Sequence, residues 1–205
     1  MVSKAEGRTR PLAGVVAGER ARGIATAHGR DPRLVQVVLD EAAEVLRAER
    51  GVLVCVTKHG LVCANAGVDR SNVPEEVALL LPDDPDRSAR ALRERIEAVR
   101  GVRPGVLITD SFGRAWRLGQ LDVAIGAAGL VVLDDWRGRR DARGRDLRAT
   151  LPAVADAAAA AADLARSKDS SEPAVLIAGL DRLVVREHGP GAAALRRPRG
   201  EDLFR

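Results

Sequence analysis

PGVLITDSFGRAWRLGQLDVAIGAAG, residues 104–129, sets an apolar run, an acidic break and a glycine-rich return side by side. Val106-Leu107-Ile108, entered through Pro104-Gly105, predicts a short strand covered on both faces that stops at Thr109-Asp110-Ser111. Ligand sites favour such strand ends. A carboxylate and a hydroxyl there offer two hard oxygens to Mg2+ or Mn2+, and such an ion can carry a nucleotide's phosphates. Asp110 as a simple turn cap, with Arg114 and Arg117 solvated, accounts for the same residues equally well.

The chain has 205 residues, 46% hydrophobic and 30% charged, enough for one substantial core or for two small lobes sharing one. No apolar run reaches the length of a membrane span, and the start, MVSKAEGRTR, has no signal-peptide segment, so no membrane association is expected and the cytoplasm is the default. With two Trp, two Phe and no Tyr, the core must be aliphatic, and base-stacking platforms of the kind used by single-strand binders are not expected. The net charge of +4 admits nucleic acid in principle. Arginine outnumbers lysine 30 to 3 and is spread along the whole chain, which is a compositional habit rather than a nucleic-acid footprint. The lysines, Lys4, Lys58 and Lys168, stand out where arginine is the ordinary cation.

Cys55 and Cys63 fall on the two arms of a predicted hairpin, Val52–Thr57 and Leu61–Asn65, and face each other across the loop 58–60. With no further cysteine or clustered histidine, they read as small buried, reduced residues rather than metal ligands. His28, His59 and His188 are isolated and read as loop or surface residues.

Working outward, residues 2–8 read as the tail of a strand or a loop, and 19–27 as a short helix. Asp31-Pro32 starts a second helix, with Leu34, Val37, Val38, Leu39, Ala42, Val45 and Leu46 as its apolar stripe and Gly51 as its end. Ala64–Asn72, ANAGVDRSN, is a second dense polar loop. Residues 77–81 form a short strand or turn, 87–100 a charged helix, 130–133 a strand and 134–146 a charged loop. A long helix is expected over 150–166, with six alanines at 157–162 for close packing, then a buried strand over 174–178. Beyond residue 187 the Pro/Gly/Arg-rich tail, 188–205, is expected to be poorly ordered.

The segments SKAEGR (3–8), NAGVDRSN (65–72), LLLPDDPDRSA (79–89), ITDSFGRAWRLGQLDVAIGAAG (108–129) and DDWRGRRDARGRDL (134–147) resemble the coenzyme F420-0:L-glutamate ligase (F420 gamma-glutamyl ligase) family in order and spacing. The resemblance runs to about Leu180. It implies a mixed α/β (α+β) ligase domain over 1–187, followed by the tail, in an intertwined homodimer without the nitroreductase-like domain that follows the module in longer enzymes. It also implies a GTP-dependent amide ligase that activates a carboxylate of coenzyme F420-0 as an acyl phosphate, which the amino group of L-glutamate then displaces.

Carried over by motif, Asp69, Asp110 and Ser111 would hold Mg2+ or Mn2+, with Ser111 in a role the family usually gives to Thr. K+ is a further cation the resemblance admits. Lys4, Asn72 and Lys168 would contact the nucleotide, and Arg114 and Arg117 the carboxylates or phosphates of substrate. No residue stands out as a general base, and positioning of the incoming amine can suffice. Two departures qualify the match. Family members carry further residues ahead of SKAEGR, with a Gly-Leu-Pro-type loop and a strand at the nucleotide, so this chain is expected to begin internally and to lack them. The loop 166–172 has no glycine to let backbone amides approach phosphate. A degenerate, non-catalytic homologue that binds a nucleotide or a partner subunit is the alternative.

Overall fold

A computed structural model describes residues 1–167 and 169–203. The chain is mixed α/β, every strand pair is antiparallel, and it divides into two compact units, Met1–Asp84 and the residues from Pro85 onward. Lys168 lies outside the described residues.

The first unit opens with a one-turn helix, α1 (Val2–Ala5), in place of the expected strand tail, followed by β1 (Thr9–Pro11). Two helices follow, α2 (Glu19–His28) and α3 (Pro32–Glu41). The Asp31 carboxylate caps α3 by accepting the Arg33 amide at 2.8 Å, and Pro32 takes the first helical position, as the sequence predicts. The helix does not continue to Gly51. It ends at Glu41, and residues 42–49 form β2 (Ala42–Glu49), which pairs with β3 (Val52–Thr57) across a two-residue turn. Both turn residues, Arg50 and Gly51, have positive φ, 51° and 77°, the backbone of a tight hairpin that matches strand twist. Hairpin pairing thus overrides the helical period of Val45 and Leu46.

β4 (Val62–Ala64) completes this sheet in the order β2-β3-β4, and β5 (Val77–Leu79) pairs with β1. Cys55 and Cys63 are cross-strand partners, both buried as free thiols. Burial pushes the Cys55 thiol pKa up. Leu12, Val35, Val38, Leu53 and Cys55 form the fully buried centre of the unit.

The second unit begins with α4 (Pro85–Arg100) and continues into the hairpin β6 (Val106–Arg114) and β7 (Arg117–Ala128). The strand predicted to stop at Thr109-Asp110-Ser111 instead runs on to Arg114, because β7 supplies a cross-strand partner at each of these positions. Val106 and Leu107 are half-buried rather than covered on both faces. Gly126 lets β7 pass the first residue of α4, since a Cβ there would stand 2.2 Å from the Pro85 carbonyl oxygen. The last helix, α5 (Val154–Leu164), is shorter than the expected 150–166 and buries Ala155, Ala158 and Ala159.

Two other strand expectations fail. Leu130–Leu133 forms no ladder beyond a single bridge from Leu130 to Val184, although Leu130 and Val132 are buried in the core with Ala124, Ala127, Leu183 and Ala192. Residues 174–178 form no strand, since none of the described residues pairs with them in a ladder, and Leu176 is 90% exposed.

Residues 188–203 of the tail pack in defined turns, where poor order was expected until its end. They make two short 3-10 turns, Ala192–Leu195 and Arg199–Glu201. Asp86, in the first turn of α4, accepts amide hydrogen bonds from Ala127 at 2.8 Å, Ala192 at 2.7 Å and Ala193 at 3.3 Å. Gly191, with φ of 76°, brings the backbone in closely enough that a Cβ would meet that carboxylate at 2.5 Å. Arg93 is 1% exposed and donates to the carbonyls of Pro104, Val185 and Glu187, so it ties helix, loop and tail together.

Candidate functional site

In the first unit the polar loop closes on itself. The Asp69 backbone exchanges hydrogen bonds with Leu79 (3.0 and 2.8 Å), which aligns the loop with the end of β5. One oxygen of the Asp69 carboxylate accepts the amides of Arg70 (2.7 Å) and Ser71 (3.0 Å), and the other accepts the Ser71 hydroxyl. This is an Asx-type turn of the kind Asp residues form locally. Asn72 follows with φ of 53°, and its carbonyl accepts the Lys4 ammonium. The structure therefore brings together Lys4, Asp69 and Asn72, three of the residues singled out in the sequence. The Asp69 carboxylate is exposed.

The second unit carries the other candidates on the β6–β7 hairpin. Side chains alternate along a strand, so Thr109 and Ser111 share one face and Asp110 projects to the other. On the first of these faces the Ser111 hydroxyl donates to one oxygen of Asp122 at 2.6 Å, and the Thr109 hydroxyl donates to the other at 2.8 Å. Arg166, just past α5, pairs with the same Asp122 oxygen as Thr109. Asp122 is 3% exposed. A carboxylate so desolvated is tolerable only when charge-paired and hydrogen-bonded, and it has both.

The sequence reading missed Thr109, Asp122 and Arg166 as a group. The signal available was a lone carboxylate inside the otherwise apolar LDVAIGAA run, where an unpaired charge would be too costly to keep.

Arg114 and Arg117 are cross-strand partners flanking the hairpin turn. Arg114 donates through Nη2 to the Leu118 carbonyl, while its Nε, shielded from solvent, has no partner among the described residues. Arg117 is exposed.

The charged loop 134–146 is organised by its own ion pairs. The Arg137 guanidinium beside Asp135 (2.6 Å) pushes that carboxyl down to about 2. Asp134 is also held below the ordinary range, by Trp136 and then by Arg182 at 3.0 Å. Arg139 lies over the Trp136 ring at 4.9 Å.

Among the described residues, no three His, Cys, Asp or Glu side chains converge on one point. A hard divalent ion carried by a nucleotide keeps several waters and needs only one or two protein carboxylates beside the phosphates. Asp69, Asp110 and Ser111 are oxygen donors of the matching kind. No helix among the described residues is long and apolar enough to cross a membrane.

Residues 1–179 match the family described as F420-0:Gamma-glutamyl ligase. The chain is 44% identical over 207 residues to the coenzyme F420:L-glutamate ligase of Methanopyrus kandleri, covering 100% of this chain and 82% of that protein. It is 39% identical over 206 residues to the protein of that name from Methanocaldococcus jannaschii (100% and 81%), and 46% identical over 188 residues to that of Haloarcula marismortui (88% and 73%).

Proposed function

The chain belongs to the F420-0:gamma-glutamyl ligase family, and from that premise we propose that it joins L-glutamate to coenzyme F420-0 in a GTP-dependent reaction. The observation that carries this reading is the 44% identity along the whole chain with a protein named for that ligation. In the first step a carboxylate oxygen of coenzyme F420-0 bonds to the γ-phosphorus of GTP, the bond to the bridging oxygen breaks, and GDP leaves. In the second, the amino nitrogen of L-glutamate bonds to the acyl carbon, phosphate departs and the nitrogen loses a proton. The net products are the amide, GDP and phosphate.

Both steps bring anions together, so the protein's task is to position them and offset their charge rather than to supply a nucleophile. Lys4 and Asn72, already joined in the first unit, hold the nucleotide together with Lys168. Asp69 in the first unit and Asp110 in the second each offer a carboxylate, and Ser111, on the opposite face of β6 from Asp110, a hydroxyl, to Mg2+ or Mn2+, with K+ as an accessory cation. The divalent ion, when bound, supplies charge neutralisation at the phosphates. Arg114, with its unpartnered shielded Nε, and Arg117 receive substrate carboxylate or phosphate oxygens. The active form is a homodimer. Trp116, Leu118, Leu164 and Leu176, each at least 85% exposed on the second unit, support an apolar contact between copies.

Mass spectrometry of coenzyme F420-0 incubated with the chain, GTP, L-glutamate and Mn2+ tests the reading. A gain of one glutamyl residue is expected, falling at least about 100-fold in the Asp110→Ala variant. No gain despite GTP and Mn2+ binding identifies a non-catalytic homologue and sinks the proposal.

A further inference from the structure

Asp122 is not among the residues to which the ligase reading gives a role, yet it is the most deeply buried carboxylate of the described residues. It lies on β7 directly across from Ser111. The hydroxyls of Ser111 and Thr109 and the guanidinium of Arg166 donate to its two oxygens. A serine hydroxyl has one proton and two lone pairs, and the proton ordinarily rotates to suit its surroundings. With that proton committed to Asp122, only lone pairs remain for any other neighbour. Ser111 Oγ then acts solely as an acceptor, which is what a cation requires of a ligand. The same carboxylate holds Arg166, whose chain continues directly into Ser167 and Lys168.

We propose that Asp122 is a positioning residue of the divalent-cation site: it turns the Ser111 hydroxyl proton inward, so that Ser111 Oγ faces the ion as a fixed acceptor. This rests on the assignment of Ser111 as a ligand. Asp122 touches neither ion nor substrate and acts through Ser111. Replacing it with the isosteric amide gives the site an N–H donor, which forces one hydroxyl to turn its proton outward and leaves Arg166 with only its more distant carboxylate partner, Asp163 at 3.8 Å.

The test is Mn2+ binding, read by electron paramagnetic resonance of free Mn2+ in the presence of GDP, on the full chain and without turnover. Asp122→Asn is expected to weaken Mn2+ by about 10-fold to 100-fold, the range found for groups that orient metal ligands. In a Ser111→Ala background the same change is expected to weaken it less than about twofold, because the ligand it orients is gone. An Asp122→Asn chain that melts at lower temperature but binds Mn2+ as the native chain does overturns the inference, as does an equal loss in both backgrounds. Should Asp122→Asn fail to fold by circular dichroism, Asp122→Glu keeps the charge but displaces the oxygens; unchanged Mn2+ affinity in that folded variant also overturns it. A native chain that binds GDP but no Mn2+ overturns the cation assignment itself, and the inference with it.

Discussion

Arg93 shows how one side chain can bind a unit together through backbone carbonyls. Its guanidinium is satisfied by three carbonyls, of Pro104, Val185 and Glu187, and desolvation lowers its pKa from the ordinary value. Arg93→Ala removes three hydrogen bonds at part-buried carbonyls and the packing of a buried side chain, and urea denaturation is expected to show a loss of about 3 kcal/mol. Asp135 makes the opposite case on the surface. Its carboxyl is depressed from 3.8 to about 2 by Arg137, so whatever it contributes is complete above 3.8 and disappears as pH falls through about 2. A carbon-detected NMR titration is expected to give a midpoint near 2, returning toward 3.8 in Arg137→Ala. Neither pairing was legible in the sequence. Arg93 is one arginine among 30, and its acceptors lie 11, 92 and 94 residues away. Lys4 was singled out by its rarity among the arginines and by the family motif, and the structure joins it to Asn72.

At the scale of elements, local chemistry marked starts better than ends. Asp31-Pro32 announced α3 because cap and proline act within one turn. Its end at Glu41 was hidden, since the apolar positions after it satisfy a helical period and the hairpin partner alone decides the outcome. The same limitation hid the continuation of β6 through Asp110, and with it the alternation that sends Asp110 and Ser111 to opposite faces. Leu130–Leu133 and residues 174–178 read as strands from composition, but a strand requires a neighbour that composition does not reveal. Packing between α4 and β7 gives a direct prediction. Gly126→Ala places a methyl 2.2 Å from the Pro85 carbonyl oxygen, where backbone rather than a flexible side chain must yield. Thermal denaturation is expected to show a loss of about 3 kcal/mol, the upper range for overpacking.

At the scale of the molecule, the mixed α/β class and the aliphatic core followed from composition and pattern, and the family was carried by motifs spread along the chain. The proposed dimer is tested by the most exposed apolar side chain of the hairpin, Leu118, which is 96% exposed. If it is covered by a second copy, Leu118→Asp shifts the light-scattering mass toward one chain, and an unchanged mass removes the hairpin from the interface. The Arg93 clamp also bears on how the chain is made. The helices and sheet of the first unit find their partners within residues 1–84, so that unit has what it needs to fold while the ribosome is still at work. Arg93 emerges more than ninety residues before the carbonyls of Val185 and Glu187, and until they arrive its charge has to remain in water. Helix α4 therefore cannot bury this side chain until residues 185–187 have been made, which leaves the second unit open to chaperones and proteases throughout that interval.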